Sequence, residues 1–304
     1  MNVREHITDL VGNTPLLKLH SLSDRCNLYA KCEFMNPISI KDRPVLNIIT
    51  EAEQKGLLKP GATLIESTSG NTGMAIAYIA AIRGYRAILV MSEIQSVERR
   101  KIMKAFGAEF VLTPAAEGTA GAKRKMQEII AEHPDYFYVG QHYNLDNPNA
   151  HYKTTGPEIW QDTDGMVDIL VAGVGTGGTL CGTGRYLKEQ KPSVQLIGVE
   201  PKTAPYISQG VFQPHRIMGL APGFVPGTLD RSLIDGFALA GEEDAFAMCR
   251  QLALKEGVLV GITSGAVAYA MQQIAKEQPE GTNIVGIFAD TGQRYLSVEG
   301  LFEV

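Results

Sequence analysis

The sequence predicts an α/β protein of two doubly wound, mainly parallel, three-layer lobes that face each other across a cleft. Three observations predict it. Short apolar runs alternate with helical ones along nearly all of the 304 residues, and that alternation means right-handed βαβ units covered on both faces. The chain is too long for one minimal core and suits two units of about 150 residues. Glycine- and hydroxyl-rich turns recur where an apolar run passes into a helical one; that is the C-terminal edge of a parallel sheet, where open α/β proteins keep their ligands.

In chain order, the turn Gly12-Asn13-Thr14-Pro15 feeds the apolar 16–19, and 27–34 reads as a second strand. The stretch Asn36-Pro37-Ile38-Ser39-Ile40-Lys41-Asp42-Arg43 closes that run and opens a helix over 44–56. A strand over 62–66, a tight polar turn over 67–73 and an alanine-rich helix over 74–82 follow. The pattern repeats as strand 86–91, helix 96–106, strand 109–112, helix 119–132 and strand 137–140. One series ends near Asn147-Pro148, so the lobes are expected at 1–147 and 148–304, with the first ~35 residues able to cross to the second lobe. The second series runs through strand 166–172, a glycine turn, helix 180–190 and strand 194–199. The proline- and glycine-bearing 201–229 is expected to form a rim or gate. Helix 242–256, strand 258–261, helix 265–276 and strand 283–289 complete the second sheet.

Composition removes several function classes. A hydrophobic content of 44% with 20% charged residues is ordinary for a globular protein with an ample core. A net charge of -5 and a pI near 5.7 argue against nucleic acid, which needs a concentrated basic face. The basic clusters at 99–104 and 123–125 have helical spacing and read as solvated faces. Cys26, Cys32, Cys181 and Cys249 lack CxxC spacing, so neither a thiolate metal site nor a disulfide framework is expected. No secretory core opens the chain and no run approaches membrane-spanning length; a reducing cytoplasm is the simplest compartment.

Four turns carry chemistry. Lys41 sits where a strand becomes a helix, a partly enclosed position that lowers an amine's pKa and frees it as a nucleophile. The turn Gly173-Val174-Gly175-Thr176-Gly177-Gly178-Thr179 offers backbone N–H groups, a helix dipole and two hydroxyls to an anion. It also matches GxGxxG, with Glu200 ending the next strand where a dinucleotide enzyme would bind ribose; the two threonines instead suit a terminal monoester phosphate. The turn 67–73 is a second nest of hydroxyls and amides, able to accept a carboxylate or to serve as an ordinary capped turn. Gly261-Ile262-Thr263-Ser264-Gly265 offers hydroxyls at a helix start, for a ring nitrogen or for simple capping. A reactive lysine, a carboxylate cradle, a phosphate cup and a neutral hydroxyl together describe a pyridoxal phosphate site.

On these residues the chain resembles the fold-type II pyridoxal phosphate enzymes of the cysteine synthase (O-acetylserine sulfhydrylase) and cystathionine β-synthase family, with a tryptophan synthase β-like fold. The resemblance runs from Gly12 to Leu16 through Lys41-Asp42-Arg43, Thr68 to Gly73, Gln141, Asn147-Pro148, Thr154 to Trp160 and the Gly175 to Thr179 cup. It ends in Gly261 to Gly265 and Arg294-Tyr295-Leu296-Ser297. It implies that Lys41 is the Schiff-base lysine and proton-transfer base, that Asn71 binds the cofactor's 3-hydroxyl oxygen, and that Gly175, Thr176, Gly177, Gly178 and Thr179 hold its phosphate. Thr263 would face the ring nitrogen, and Thr68, Ser69, Gly70, Thr72 and Gln141 would take the substrate carboxylate. The resemblance further implies a homodimer and permits a complex with the C-terminal tail of serine acetyltransferase.

Three departures from the family pattern stand out. Ile38-Ser39-Ile40 is one residue shorter than usual, His142 stands where phenylalanine is common, and Thr263 replaces serine. The activity implied is β-replacement on O-acetyl-L-serine by sulfide, giving L-cysteine. Rivals within the family use O-phosphoserine as donor, form cystathionine or lanthionine, or release sulfide from cysteine. Outside it stand an NAD-dependent dehydrogenase, which Glu200 motivates, and a non-catalytic scaffold for the acetyltransferase.

Overall fold

A computed structural model describes residues 1 and 3–302. Its elements in chain order are β1 (Leu16–Lys18), β2 (Asn27–Cys32), α1 (Asp42–Gln54), β3 (Thr63–Ser67), α2 (Asn71–Arg83), β4 (Arg86–Ser92), α3 (Val97–Ala105), β5 (Glu109–Thr113), α4 (Gly118–Glu132) and β6 (Phe137–Tyr138). They continue as α5 (Asp146–Lys153), α6 (Thr155–Asp162), β7 (Ile169–Gly173), α7 (Gly178–Gln190), β8 (Gln195–Pro201), α8 (Tyr206–Gln209), β9 (Gly236–Ala240), α9 (Glu242–Glu256), α10 (Ile262–Glu277) and β10 (Asn283–Phe288).

The strands form two sheets, β5-β4-β3-β6, wholly parallel, and β1-β2-β10-β7-β8-β9, parallel except for the β1–β2 pair. β1 and β2 therefore lie in one sheet with β7 to β10. Alternation along each strand sends successive side chains to opposite faces. Leu64 and Leu89 pack with Met74 and Ile76 of α2 on one face of the smaller sheet, while Ile65 and Val90 meet Ala122 and Met126 of α4 on the other. In the larger sheet Ile169 and Val171 join the cluster of α9 and α10, and Leu170 and Ala172 join Leu180 and Leu187 of α7. Each lobe is thus helix, sheet, helix. Among the described residues no helix is long and apolar enough to cross a membrane.

The structure corrects the sequence reading in three places. The strand expected over 258–261 is a loop with a single bridge from Val260 to Thr291, and α10 starts at Ile262, so Thr263 stands in its first turn. β9 pairs in parallel with β8 where no strand was read. α5 and α6 occupy 146–162, where no helix was read; Pro148 and Pro157 both fall in a first helical turn, where the missing N–H would have had no partner.

Candidate active site

Lys41 is the N-cap of α1, at the end of the loop that leaves β2. Asp42 Oδ2 accepts from Ile38 N–H at 2.7 Å and Ser39 N–H at 3.2 Å. Ile40 N–H donates to the Ala289 carbonyl at 2.9 Å, just past β10. The short segment Ile38-Ser39-Ile40 is therefore tied from both sides, and all three residues are buried. Lys41 itself is half-buried. Desolvation brings its ammonium down to about 8 against the opposing pull of Asp290, so part of it is free amine near neutral pH.

Two cavities share Lys41, Gly70, Asn71, Gly175 and Thr176 in their walls. The smaller, about 120 Å³, also reaches Gly177, Thr179, Thr263 and Asp290. The larger, about 630 Å³, also reaches Thr68, Ser69, Thr72 and Gln141. The lysine thus stands between the two groups of turns that the sequence singled out.

The cup follows β7. Gly177 takes φ +80°, a conformation glycine reaches without steric cost, and a Cβ on Gly175 would lie 2.3 Å from the Gly219 carbonyl oxygen. The turn exposes backbone N–H groups at the start of a 13-residue helix, where the dipole favours an anion. Asn147 Nδ2 donates to Thr176 Oγ1 at 3.2 Å. Thr179 Oγ1 lies 3.2 Å from His151 Nε2, and His151 Nδ1 lies 2.8 Å from Thr155 Oγ1. Burial holds His151 far below the usual imidazole range, so it orients the threonine without adding charge. Gly178 is not in the wall of either cavity, and a Cβ there would meet Asn147 Oδ1 at 2.1 Å. Its glycine serves packing.

Of the two hydroxyls that open α10, Thr263 lines the smaller cavity and donates to the Met218 carbonyl at 2.7 Å. Ser264 is buried, its Oγ accepting from Ala289 N–H at 3.0 Å. Asn71 Nδ2 donates to Asp290 Oδ2 at 2.7 Å, and Tyr295 OH reaches the same oxygen at 2.6 Å. Asp290 is 1% exposed and its other oxygen has no partner. Sequence reasoning missed Asp290 and His151. The position of Asp290 just past β10, at the C-terminal edge of the sheet, was a usable signal; nothing local marks His151.

In the larger cavity Thr72 Oγ1 donates to Gln141 Oε1 at 2.6 Å, joining the 67–73 turn to the end of β6. Beneath them Glu66 accepts from Ser67 N–H at 3.0 Å and Gln141 N–H at 3.1 Å, and burial pushes its carboxyl up to about 7. His142 lines this cavity, its ring 5.2 Å from that of Phe224; burial, then Lys123 and Lys41, bring it down to about 4, leaving it neutral. Glu200 is fully buried and accepts from Ile207 N–H at 2.7 Å and Ser208 N–H at 3.0 Å. It caps the start of α8 and offers a ribose nothing.

The family model described as pyridoxal-phosphate dependent enzyme matches residues 7–290. The chain belongs to that family. Its cofactor is pyridoxal phosphate, and the cup, whose Gly175 leaves no space for a Cβ, fits the phosphate end of that group. The chain is 44% identical to the cysteine synthase of Staphylococcus aureus strain Mu50 over 297 residues, 96% of each chain. Among solved structures, a cysteine synthase from Entamoeba histolytica superposes with a TM-score of 0.96 at 40% identity, over 100% of this chain and 92% of that one. An O-ureido-L-serine synthase superposes with a TM-score of 0.95 at 42% identity, over 99% of this chain and 97% of that one. Family members of this kind place the present fold among the two-lobe, fold-type II enzymes.

Proposed function

We propose that this protein catalyses β-replacement on O-acetyl-L-serine by sulfide, giving L-cysteine and acetate. The observation that carries the reading is the half-buried, desolvated amine of Lys41 in the wall common to the two cavities. Bound through this amine, pyridoxal phosphate supplies an aldehyde to hold the amino acid and a ring to draw electrons from its α carbon.

Gly175, Thr176, Gly177, Gly178 and Thr179 would hold the phosphate. Asn71, fixed by Asp290, meets the 3-hydroxyl oxygen. Thr263, by turning its one hydroxyl proton from the Met218 carbonyl, would offer a neutral donor to the ring nitrogen, which would keep that nitrogen unprotonated and favour expulsion of a β leaving group over transamination. Thr68, Ser69, Gly70, Thr72 and Gln141 receive the donor's carboxylate through hydroxyls and N–H groups. Lys41 Nζ takes the α proton, which lets acetate leave the β carbon with its bonding electrons, and returns a proton after sulfide has added there. The reading extends, through the family resemblance, to a homodimer in the cytoplasm and to serine acetyltransferase as a partner; light scattering of the purified protein with and without the acetyltransferase tail tests both associations.

The decisive experiment mixes holoprotein with O-acetylserine and sulfide and measures cysteine and acetate together. Equimolar products are expected, with Lys41→Ala lowering the rate at least a thousandfold while the far-ultraviolet spectrum stays that of the wild type. Absence of product from the wild type, or a fully active Lys41→Ala, would refute the proposal.

A further inference from the structure

The larger cavity, about 630 Å³, takes the donor's carboxylate at one end of its wall and has further side chains beyond it. Beyond the carboxylate loop its wall is partly apolar, with Met91, Phe212 and Pro222, and carries a second ammonium besides Lys41, that of Lys123 of α4. Lys123 is half-buried, its Nζ 3.9 Å from the centroid of the Phe224 ring. An ammonium has three donors, and a ring face takes up only one direction. Glu66 acts on Lys123 through its charge while its two oxygens accept from Ser67 N–H and Gln141 N–H. His142 in the same wall is neutral and competes for no anion. Ser92, at the end of β4, also lines the cavity, is 1% exposed and has no hydrogen-bond partner for its Oγ. A desolvated cation and an idle buried hydroxyl on the neighbouring α4 and β4, in one cavity wall with apolar side chains, make a receptor for an anionic group on a carbon chain.

We propose that Lys123 is a specificity-determining residue for the second substrate, selecting a thiol that carries a carboxylate at its far end over a neutral thiol of similar size. The inference rests on the β-replacement reading and adds, beside sulfide, a second class of nucleophile for the same site. The thiol sulfur forms the new C–S bond at the donor's β carbon, the C–O bond breaks with its electrons leaving on acetate, and the thiol proton passes to solvent. The carboxylate keeps its charge throughout, so its pairing with Lys123 persists to the transition state. Hydrosulfide spends its charge in forming the bond.

The test compares mercaptoacetate with 2-mercaptoethanol, O-acetylserine being the donor, in wild type, Lys123→Met and Lys123→Arg. The wild-type ratio of kcat/KM for the acid over the alcohol is expected to exceed about tenfold, corresponding to about 1.4 kcal/mol of charge recognition. Lys123→Met should bring the ratio to near one and Lys123→Arg should keep most of it; because the ratio is read within one protein, a general loss of activity does not move it. Calorimetric titration of mercaptoacetate without donor should show about tenfold weaker binding to Lys123→Met. A wild-type ratio near one, or a ratio that Lys123→Met leaves unchanged, overturns the inference. So does a defect of Lys123→Met with sulfide that appears when O-phosphoserine replaces O-acetylserine, since the anion would then belong to the donor. If the wild type forms no cysteine from O-acetylserine and sulfide, the β-replacement reading fails, and the calorimetry still decides whether Lys123 binds the carboxylate.

Discussion

At the scale of single residues, the chemistry depends on what a side chain's surroundings leave unsatisfied. Lys41 could be singled out in the sequence because a strand-to-helix junction fixes a side chain, but its lowered pKa comes from desolvation by the folded walls. Thr263 and Ser264 are equivalent in the sequence, each a hydroxyl at a helix start; the fold buries Ser264 against Ala289 N–H and places Thr263, which donates to the Met218 carbonyl, in the cavity wall. Gly175 and Gly178 likewise look alike. A Cβ at Gly175 meets a backbone carbonyl oxygen, that of Gly219, at 2.3 Å, so backbone has to shift to admit it. Gly175→Ala is therefore expected to weaken pyridoxal phosphate binding by about tenfold or more, measured by titrating cofactor-free protein with the cofactor while thermal melting checks the fold. Binding as tight as wild type would show that the cup does not need a bare backbone.

At the scale of elements, α1 depends on how its entry loop is closed. Both bonds from Ile38 and Ser39 N–H go to Oδ2 of Asp42, while Oδ1 is buried without a partner. Burial raises this carboxyl to about 7, the two N–H bonds opposing. Its folded pKa thus lies above the ordinary value of 3.8. The stability it contributes is full below that value and is lost as pH rises through about 7. Asp42→Asn, which cannot ionise, should flatten the change in melting temperature between about pH 4 and pH 7.5; an unchanged slope would assign that dependence elsewhere. The helix start itself was legible from Pro44 and the apolar period after it. The strand expected over 258–261 failed because its apolar residues face the core from a loop, and periodicity over so short a run records burial without distinguishing strand from loop.

At the scale of the whole molecule, one buried ion cluster locks the lysine loop to distant parts of the chain. Arg43 bonds Glu33 through Nε at 2.6 Å and Glu158 of α6 through Nη2 at 2.7 Å, and Lys31 of β2 reaches Glu158 at 2.9 Å. The Glu33 side chain is fully buried. Arg43→Met would leave it as a buried, uncompensated charge, costing about 3 to 5 kcal/mol, read as a fall in the denaturation midpoint; a loss under 1 kcal/mol would mean that Glu33 finds another partner or a proton. The sequence alone determined the fold class, the alternation of strand and helix, and the turns able to hold a phosphate, a carboxylate and a reactive amine, because each rests on local pattern and backbone chemistry. Only the tertiary structure decided which hydroxyl faces the cavity, that Glu200 caps a helix, that Asp290 holds Asn71, and that Lys123 lines the larger cavity. Those outcomes depend on which groups distant segments bring together and which they leave without a partner, and neighbours in space leave no periodic trace along the chain.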